Sequence, residues 1–153
     1  MAIEIGQTAP DFSLKDQDGN VVSLADFAGK QAVALVFYPF TFTGVCEGEL
    51  CAIRDDHAEF EAAGVQVLAC SCDTRFAQAQ WATQQGYQFP VLSDFWPHGE
   101  VAKAYGVFND ALGCANRATF LINADGVVVD TFESPDLGTA RDKSRYAEAL
   151  EKL

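Results

Sequence analysis

A chain of 153 residues, 49% hydrophobic and 21% charged, has enough apolar material for one core and suits a single domain over 1–153. Its formal net charge of −12 repels nucleic acid and anionic membranes, and no apolar run is long enough to span a bilayer. The start Met1-Ala2-Ile3-Glu4 lacks the basic residues and apolar stretch of a secretory signal, so a cytoplasmic location is expected. Asp11–Leu14, followed by Asp18-Gly19-Asn20, reads as a short strand and a turn. Ala32–Tyr38 is a continuous apolar run, as in a strand covered on both faces, and Pro39 ends it. From Thr43 to Ala63 the pattern turns helical, with Leu50, Ile53, Arg54, His57 and Phe60 at spacings of three and four, and Gly64 as the cap. Val65–Cys72 reads as a second buried strand, Phe76–Gln85 as a helix closed by Gly86, Pro90–Leu92 as a short strand and Gly99–Tyr105 as a short helix closed by Gly106. Ala118–Asn123 and Val127–Phe132 flank the turn signal Asp125-Gly126. Thr139–Leu153 is expected as a final amphipathic helix, with Tyr146, Leu150 and Leu153 on one side.

That order predicts an α/β fold: a central mixed sheet flanked by helices, in the thioredoxin-like arrangement with extra elements. Fold does not set function, so the chemistry must be found in particular residues. Five cysteines, Cys46, Cys51, Cys70, Cys72 and Cys114, are an odd number without an export signal, which argues against a static disulfide framework. No pair has Cys-x-x-Cys spacing. No metal site, Gly-rich phosphate loop or other cofactor motif is visible, so no metal and no cofactor are expected.

Cys46 stands out by position. A buried strand and a short loop lead to it, and it falls in the first turn of the long predicted helix. First-turn N–H groups lack intrahelical partners and the helix dipole favours an anion there, so the position suits a thiolate. Glu47 and Glu49 oppose that charge, so a cation is needed. Arg117, just before the predicted strand Ala118–Asn123, is the candidate, because that strand lies beside the one feeding Cys46 in a thioredoxin-like sheet. Arg54, further along the same helix, is a second cation.

The run Pro39-x-x-x-Thr43-x-x-Cys46 resembles the active-site signature of the peroxiredoxin family. Asn116-Arg117-Ala118-Thr119-Phe120 resembles the segment carrying that family's site arginine. Ala9-Pro10-Asp11-Phe12, Ser93-Asp94 and Val101-Ala102-Lys103-Ala104-Tyr105-Gly106-Val107 are further matches in the family's order. Within the family the chain is most similar to the alkyl hydroperoxide reductase E type, above all along Leu92-Ser93-Asp94-Phe95-Trp96-Pro97-His98-Gly99. The resemblance covers nearly the whole chain.

The resemblance implies a thiol-dependent peroxidase acting on hydrogen peroxide and organic hydroperoxides, with peroxynitrite as a further substrate. Cys46 would be the nucleophile. The Thr43 hydroxyl would bond the sulfur and the peroxide oxygen, Arg117 would stabilise the thiolate and the polarised O–O bond, Pro39 would shield the sulfur, and Glu49 would orient the arginines. Phe40 and Phe42 are candidates to line a pocket for an organic hydroperoxide, or equally to serve as core or subunit contacts. The implied partners are a hydroperoxide, a thiol reductant (thioredoxin, a glutaredoxin-like protein or a low-molecular-weight thiol) and a second copy in a homodimer.

Attack converts a thiolate to a sulfenic acid, which a second thiol can capture. The alkyl hydroperoxide reductase E type resembles single-cysteine enzymes that use an external thiol. Cys51 departs from that pattern: the spacing Cys46-x4-Cys51 is similar to the Q-type peroxiredoxins, which resolve within one chain. Five helical residues give a rise of about 7.5 Å and a rotation of about 140°, so an intact helix holds the two cysteines too far apart, and pointing apart, for a disulfide. Resolution by Cys51 therefore requires the first turns to unwind, which Gly48 makes cheaper. Cys70 and Cys72, two apart, are expected to be small buried apolar residues facing one side. Cys114 is expected in a loop before Arg117, as a bystander or a second resolving thiol. His57 and His98 are expected to be structural. A thioredoxin-type oxidoreductase is the competing reading, and Glu49, standing where its second cysteine would be, argues against it.

Overall fold

A strand with no polar side chain must be covered on both faces, and Ala32 to Phe37 is such a strand. The computed structural model, which describes residues 2–153, builds the molecule around it. The elements run β1 (Ser13–Lys15), β2 (Val21–Ser23), a 3-10 turn (Leu24–Phe27), β3 (Ala32–Phe37), α1 (Gly44–Asp55), α2 (His57–Ala62), β4 (Val65–Ser71), α3 (Arg75–Gln85), β5 (Val91–Ser93), α4 (Glu100–Ala104), β6 (Phe108–Asn109), β7 (Cys114–Ala115), β8 (Ala118–Ile122), β9 (Val128–Glu133) and α5 (Ser144–Leu150). Seven strands form one mixed sheet in the order β2-β1-β5-β4-β3-β8-β9, and β6 and β7 form a separate hairpin. The thioredoxin-like α/β class expected from the order of elements is the one observed.

Strand β3 is central, parallel to β4 and antiparallel to β8. Its alternating side chains enter two cores. Val33, Leu35 and Phe37 join Leu68, Leu92, Phe120 and Ile122 under Ala102 and Tyr105. Ala34, Val36 and Tyr38 join Val67 and Ala69 under Leu50, Ile53, Phe60, Trp81 and Ala149, so α1, α2, α3 and α5 cover that face. Because β3 and β4 run parallel, both end at the same edge of the sheet, and α1 begins there, one short loop beyond β3.

Several boundaries differ from expectation. The helix expected over Thr43–Ala63 is two helices, broken at Asp56, whose backbone (φ −95°, ψ 14°) leaves the helical region. Aspartate is a weak helix former, and here it follows a second aspartate, Asp55. The final helix spans only Ser144–Leu150. The stretch before it is taken up by the Arg141 contacts described below, and Leu153, expected on the buried side, is exposed. Tyr146 packs as expected, its ring 4.9 Å from that of Phe132 and 5.9 Å from that of Phe60. The first strand is Ser13–Lys15 rather than Asp11–Leu14. The two-residue strands β6 and β7 went unpredicted, being too short to show a period. Helix α3 begins at Arg75, one residue early, where Thr74 Oγ1 accepts the Ala77 N–H, and it ends on left-handed Gly86 (φ +68°). No helix among the described residues is long and apolar enough to cross a membrane.

Candidate active site

The loop from Pro39 to Thr43 carries the chain from the end of β3 to the start of α1, and two hydrogen bonds at Thr41 pin it, with a third holding the Asp73 acceptor. Thr41 N–H donates to Asp73 Oδ2 (2.9 Å), Ser71 Oγ donates to the same oxygen (2.7 Å), and the Tyr38 and Thr41 hydroxyls bond each other (2.9 Å). Phe42 holds a left-handed backbone (φ +67°), which costs a non-glycine residue about 1–2 kcal/mol. Pro39 is buried beneath the loop. Phe40 and Phe42 are exposed rather than core residues, and the Phe42 ring leans toward Trp81 (6.3 Å between centroids).

Cys46 is the third residue of α1 and is fully buried. Arg117 Nη1 lies 3.1 Å from its sulfur and 2.7 Å from Glu49 Oε1, so one nitrogen bridges the thiol and the carboxylate. Arg117 Nε donates to the Leu137 carbonyl (2.8 Å), which fixes the plane of the guanidinium. The guanidinium reaches the sulfur because β8 pairs with β3: Thr119 faces Val36, so the residue just before β8 sits at the edge where α1 begins.

A second buried cation completes the cluster, and it is not the expected Arg54. Arg54 turns outward, its Nε on Asp55 Oδ1 (3.0 Å) and its Nη1 on the Gln85 carbonyl (2.5 Å). Arg141 takes the place instead. Its Nε and backbone N–H donate to Glu49 Oε2 (2.9 and 2.8 Å), its Nη2 donates to Glu49 Oε1 (2.9 Å), and its Nη1 donates to the carbonyls of Phe37 (2.6 Å) and Ala118 (3.0 Å). Arg141 therefore clamps the end of β3 to the start of β8. No periodicity or spacing marks it in the sequence, because it lies in an irregular segment.

Glu49, on the turn of α1 that follows Cys46, is the hub of this cluster. Burial alone would raise its carboxyl, but the hydrogen bonds and charge of Arg141, aided by Arg117, win and hold it below the usual carboxylate range. An acid whose native pKa is depressed stabilises the fold fully above its unfolded value, about 4.3. That stability is lost as the pH falls from there through the native value. Glu49→Gln is accordingly expected to cost about 3 kcal/mol at pH 7, by leaving two buried guanidiniums short of charge. It should also flatten the decline of stability below about pH 4.3. Urea unfolding of both proteins between pH 3 and 7 measures this, and parallel pH curves would contradict it.

The Thr43 hydroxyl does not meet the sulfur. It donates to the Phe40 carbonyl (2.7 Å), and neither does it cap the helix, although Thr43 is the capping residue. A carbonyl three residues back in the loop outcompetes both alternatives by being close and fixed.

Cys51 is half-buried and points away from Cys46, as an intact helix requires; its thiol donates to Gln85 Oε1 (3.5 Å) and lies 3.7 Å from the Tyr87 hydroxyl. All five cysteines are free. Cys70 joins the first core, where burial pushes its thiol well up. Burial likewise drives Cys72, which lies just past the end of β4, to about 12. Both behave as small apolar residues. Cys114 lies in β7 rather than in a loop, also buried, with its thiol raised chiefly by that burial. His57 faces Glu61 (3.8 Å) from α2, and the ring nitrogens of His98 lie 3.1 Å from the Phe95 carbonyl and 2.7 Å from that of Gly113, tying two loops together. No cluster of three or more metal-ligating side chains occurs among the described residues.

A thiol at a helix start, bridged to a carboxylate by a buried guanidinium, is equipped to act as an anionic nucleophile and to stabilise negative charge that develops beside it. Known proteins resemble this chain in sequence and fold. The AhpC/TSA family matches residues 5–131. The chain is 45% identical over 151 residues to alkyl hydroperoxide reductase E of Mycobacterium tuberculosis, covering 99% of this chain and 98% of that protein. Among solved structures, the peroxidoxin BcpB of M. tuberculosis superposes with a TM-score of 0.86 at 31% identity, covering 98% of this chain and 96% of that one. AhpC of Enterococcus faecalis superposes with a TM-score of 0.87 at 28% identity, covering 99% and 92%.

Proposed function

The chain belongs to the AhpC/TSA family and is a peroxiredoxin enzyme, and on that footing we propose that Cys46 is its nucleophile and Cys51 its resolving thiol. The sulfur attacks one oxygen of the hydroperoxide. An S–O bond forms and the O–O bond breaks, and the departing alkoxide or hydroxide takes up a proton. The peroxide is reduced to an alcohol or water, and Cys46 is oxidised to a sulfenic acid. The observation that carries this reading is Arg117 Nη1 at 3.1 Å from the sulfur, a fixed positive donor beside the reacting atom. The exposed phenyl rings of Phe40 and Phe42, on the loop that leads to Cys46, suit organic hydroperoxides as well as hydrogen peroxide; peroxynitrite fits the same chemistry. The Thr43 hydroxyl, bonded to Phe40 in the resting state, keeps its lone pairs free and can turn toward an incoming peroxide.

In the second half-reaction the Cys51 sulfur attacks the sulfenic sulfur, an S–S bond forms, the S–O bond breaks and water leaves. A thioredoxin, a glutaredoxin-like protein or a small thiol then reduces the disulfide. The first turns of α1 must open for this, because α1 is an unbroken helix from Gly44 to Asp55.

Exposed apolar residues gather at the same edge of the sheet, on the loops that follow β3 and β5, at the start of α3 and in the β6–β7 hairpin: Phe40, Phe42, Phe76, Phe95, Trp96 and Leu112. Such a rim supports a homodimer packed around the site. One experiment tests both points. The protein is treated with one equivalent of hydrogen peroxide and examined by native and denaturing mass spectrometry. The expected result is a dimer of the 16.5 kDa chain in which each chain has lost two hydrogens to a Cys46–Cys51 disulfide. Cys51→Ser should instead retain the sulfenic acid. A wild-type chain that keeps the sulfenic acid, with full turnover in Cys51→Ser, would move the reaction to an external thiol, and a monomer would remove the dimer.

A further inference from the structure

One side chain outside the Arg117 cluster touches both ends of the segment that has to open. Gln85, the last residue of α3, donates through Nε2 to Glu47 Oε1 (2.9 Å), directly after Cys46. Its Oε1 accepts the Cys51 thiol (3.5 Å), and its backbone carbonyl accepts Arg54 Nη1 (2.5 Å). Three successive turns of α1 are therefore tied to a single residue. Trp81 Nε1, one turn earlier in α3, adds a weaker bond to the same Glu47 oxygen (3.4 Å). We infer that Gln85 is a positioning residue for the resolving step: it latches the first turns of α1 in helical form, and its release sets how fast Cys51 reaches the oxidised Cys46. This rests on the resolution by Cys51 proposed above.

The physical case is one of competition. Closing the disulfide requires Cys51 to leave its acceptor and Glu47 to leave its donor, so the two side-chain hydrogen bonds of Gln85 are broken before the S–S bond forms. Hydrogen bonds that exist only in the folded helix stabilise that state against the opened one. Gly48, between the two cysteines, works in the other direction. It weakens the helix at the place where opening must begin, and no packing requires it, since a Cβ built there meets no atom within 4 Å. The latch thus holds a segment that is intrinsically ready to unwind. While it holds, the sulfenic acid at Cys46 stays exposed to a second peroxide, which would carry it to the sulfinic acid.

The test uses the full chain with Gln85→Met, which keeps length and volume and removes both side-chain hydrogen bonds. Rapid quench after one equivalent of hydrogen peroxide, read by mass spectrometry, separates sulfenic acid formation from disulfide formation. Disulfide formation is expected to quicken by about tenfold, the scale of two ordinary hydrogen bonds no longer to be broken. Formation of the sulfenic acid should change less than about twofold, because the Cys46–Arg117 contact does not involve Gln85. The peroxide concentration needed to reach the sulfinic acid should rise in step with the faster closure. Gly48→Ala should slow closure about fivefold, by helix propensity alone. A residue serving only the fold would not accelerate one step and leave the other. Wild-type closure as fast as that of Gln85→Met overturns the latch. A wild-type chain that forms no Cys46–Cys51 disulfide overturns the resolution reading beneath it.

Discussion

Cys46→Ser is expected to bring peroxide turnover to the uncatalysed level, a fall of at least about 10³-fold, the scale seen when an enzyme loses its nucleophile. The loss is chemical rather than steric in origin. A serine hydroxyl fits the same buried space, and the guanidinium of Arg117 would still stand beside it. An alcohol, however, is scarcely ionised at neutral pH, and its oxygen cannot take up the two-electron oxidation that a thiol undergoes. The fold should survive, because one small polar group replaces another and Arg117 supplies it a hydrogen-bond donor. Loss of hydrogen peroxide from solution, followed with excess dithiothreitol, measures the effect. Residual turnover above about one per cent of wild type would transfer the chemistry to another of the five cysteines.

Arg117→Ala should lower the rate of Cys46 oxidation by about 10²- to 10³-fold, the range for removing one donor aimed at developing negative charge. Two losses combine. The sulfur loses its cation at 3.1 Å, and negative charge developing beside it during O–O cleavage loses a fixed positive donor. The fold is protected from the worst of the change, because Arg141 still makes five hydrogen bonds to Glu49 and to the carbonyls that it clamps from β3 and β8. Lysine should restore only part of the rate. It keeps a charge, but a single ammonium cannot bridge the sulfur and Glu49 while also holding the Leu137 carbonyl, as the guanidinium does. Single-turnover kinetics with hydrogen peroxide, with circular dichroism to confirm folding, measure both variants. A rate within about fivefold of wild type in Arg117→Ala would show that this guanidinium is structural, well short of the loss expected for a donor at the reacting atom.

How much of the site is legible before any coordinates varies from residue to residue. Cys46 is legible because its chemistry depends on what lies beside it in sequence: an apolar strand, a proline, a short loop and a helix start. Arg117 is legible because it abuts an apolar strand whose neighbour in the sheet can be deduced from the order of elements. Arg141 is not, since it sits in irregular chain and acquires its role only when that chain folds over the ends of β3 and β8. Arg54 misleads in the opposite way. Helical spacing puts a cation near Cys46, but spacing does not say which neighbour draws it, and the Gln85 carbonyl and Asp55 draw it outward. Thr43 shows the limit for a single hydroxyl: its identity is plain, but its direction follows from the nearest fixed acceptor, the Phe40 carbonyl.

The sequence by itself determined the class of fold, the strand that both cores share and the cysteine that begins a helix, because apolar periodicity and helix-end chemistry are short-range properties carried by neighbouring residues. Tertiary structure alone decided that Arg141, and not Arg54, would join Arg117 on the carboxylate of Glu49, that the long helix would break at Asp56 and that Cys51 would rest on Gln85. Those outcomes depend on which buried polar groups find each other when remote segments pack. A buried polar group must take whatever partner the packing brings within reach, and nothing in the residues on either side of it names that partner.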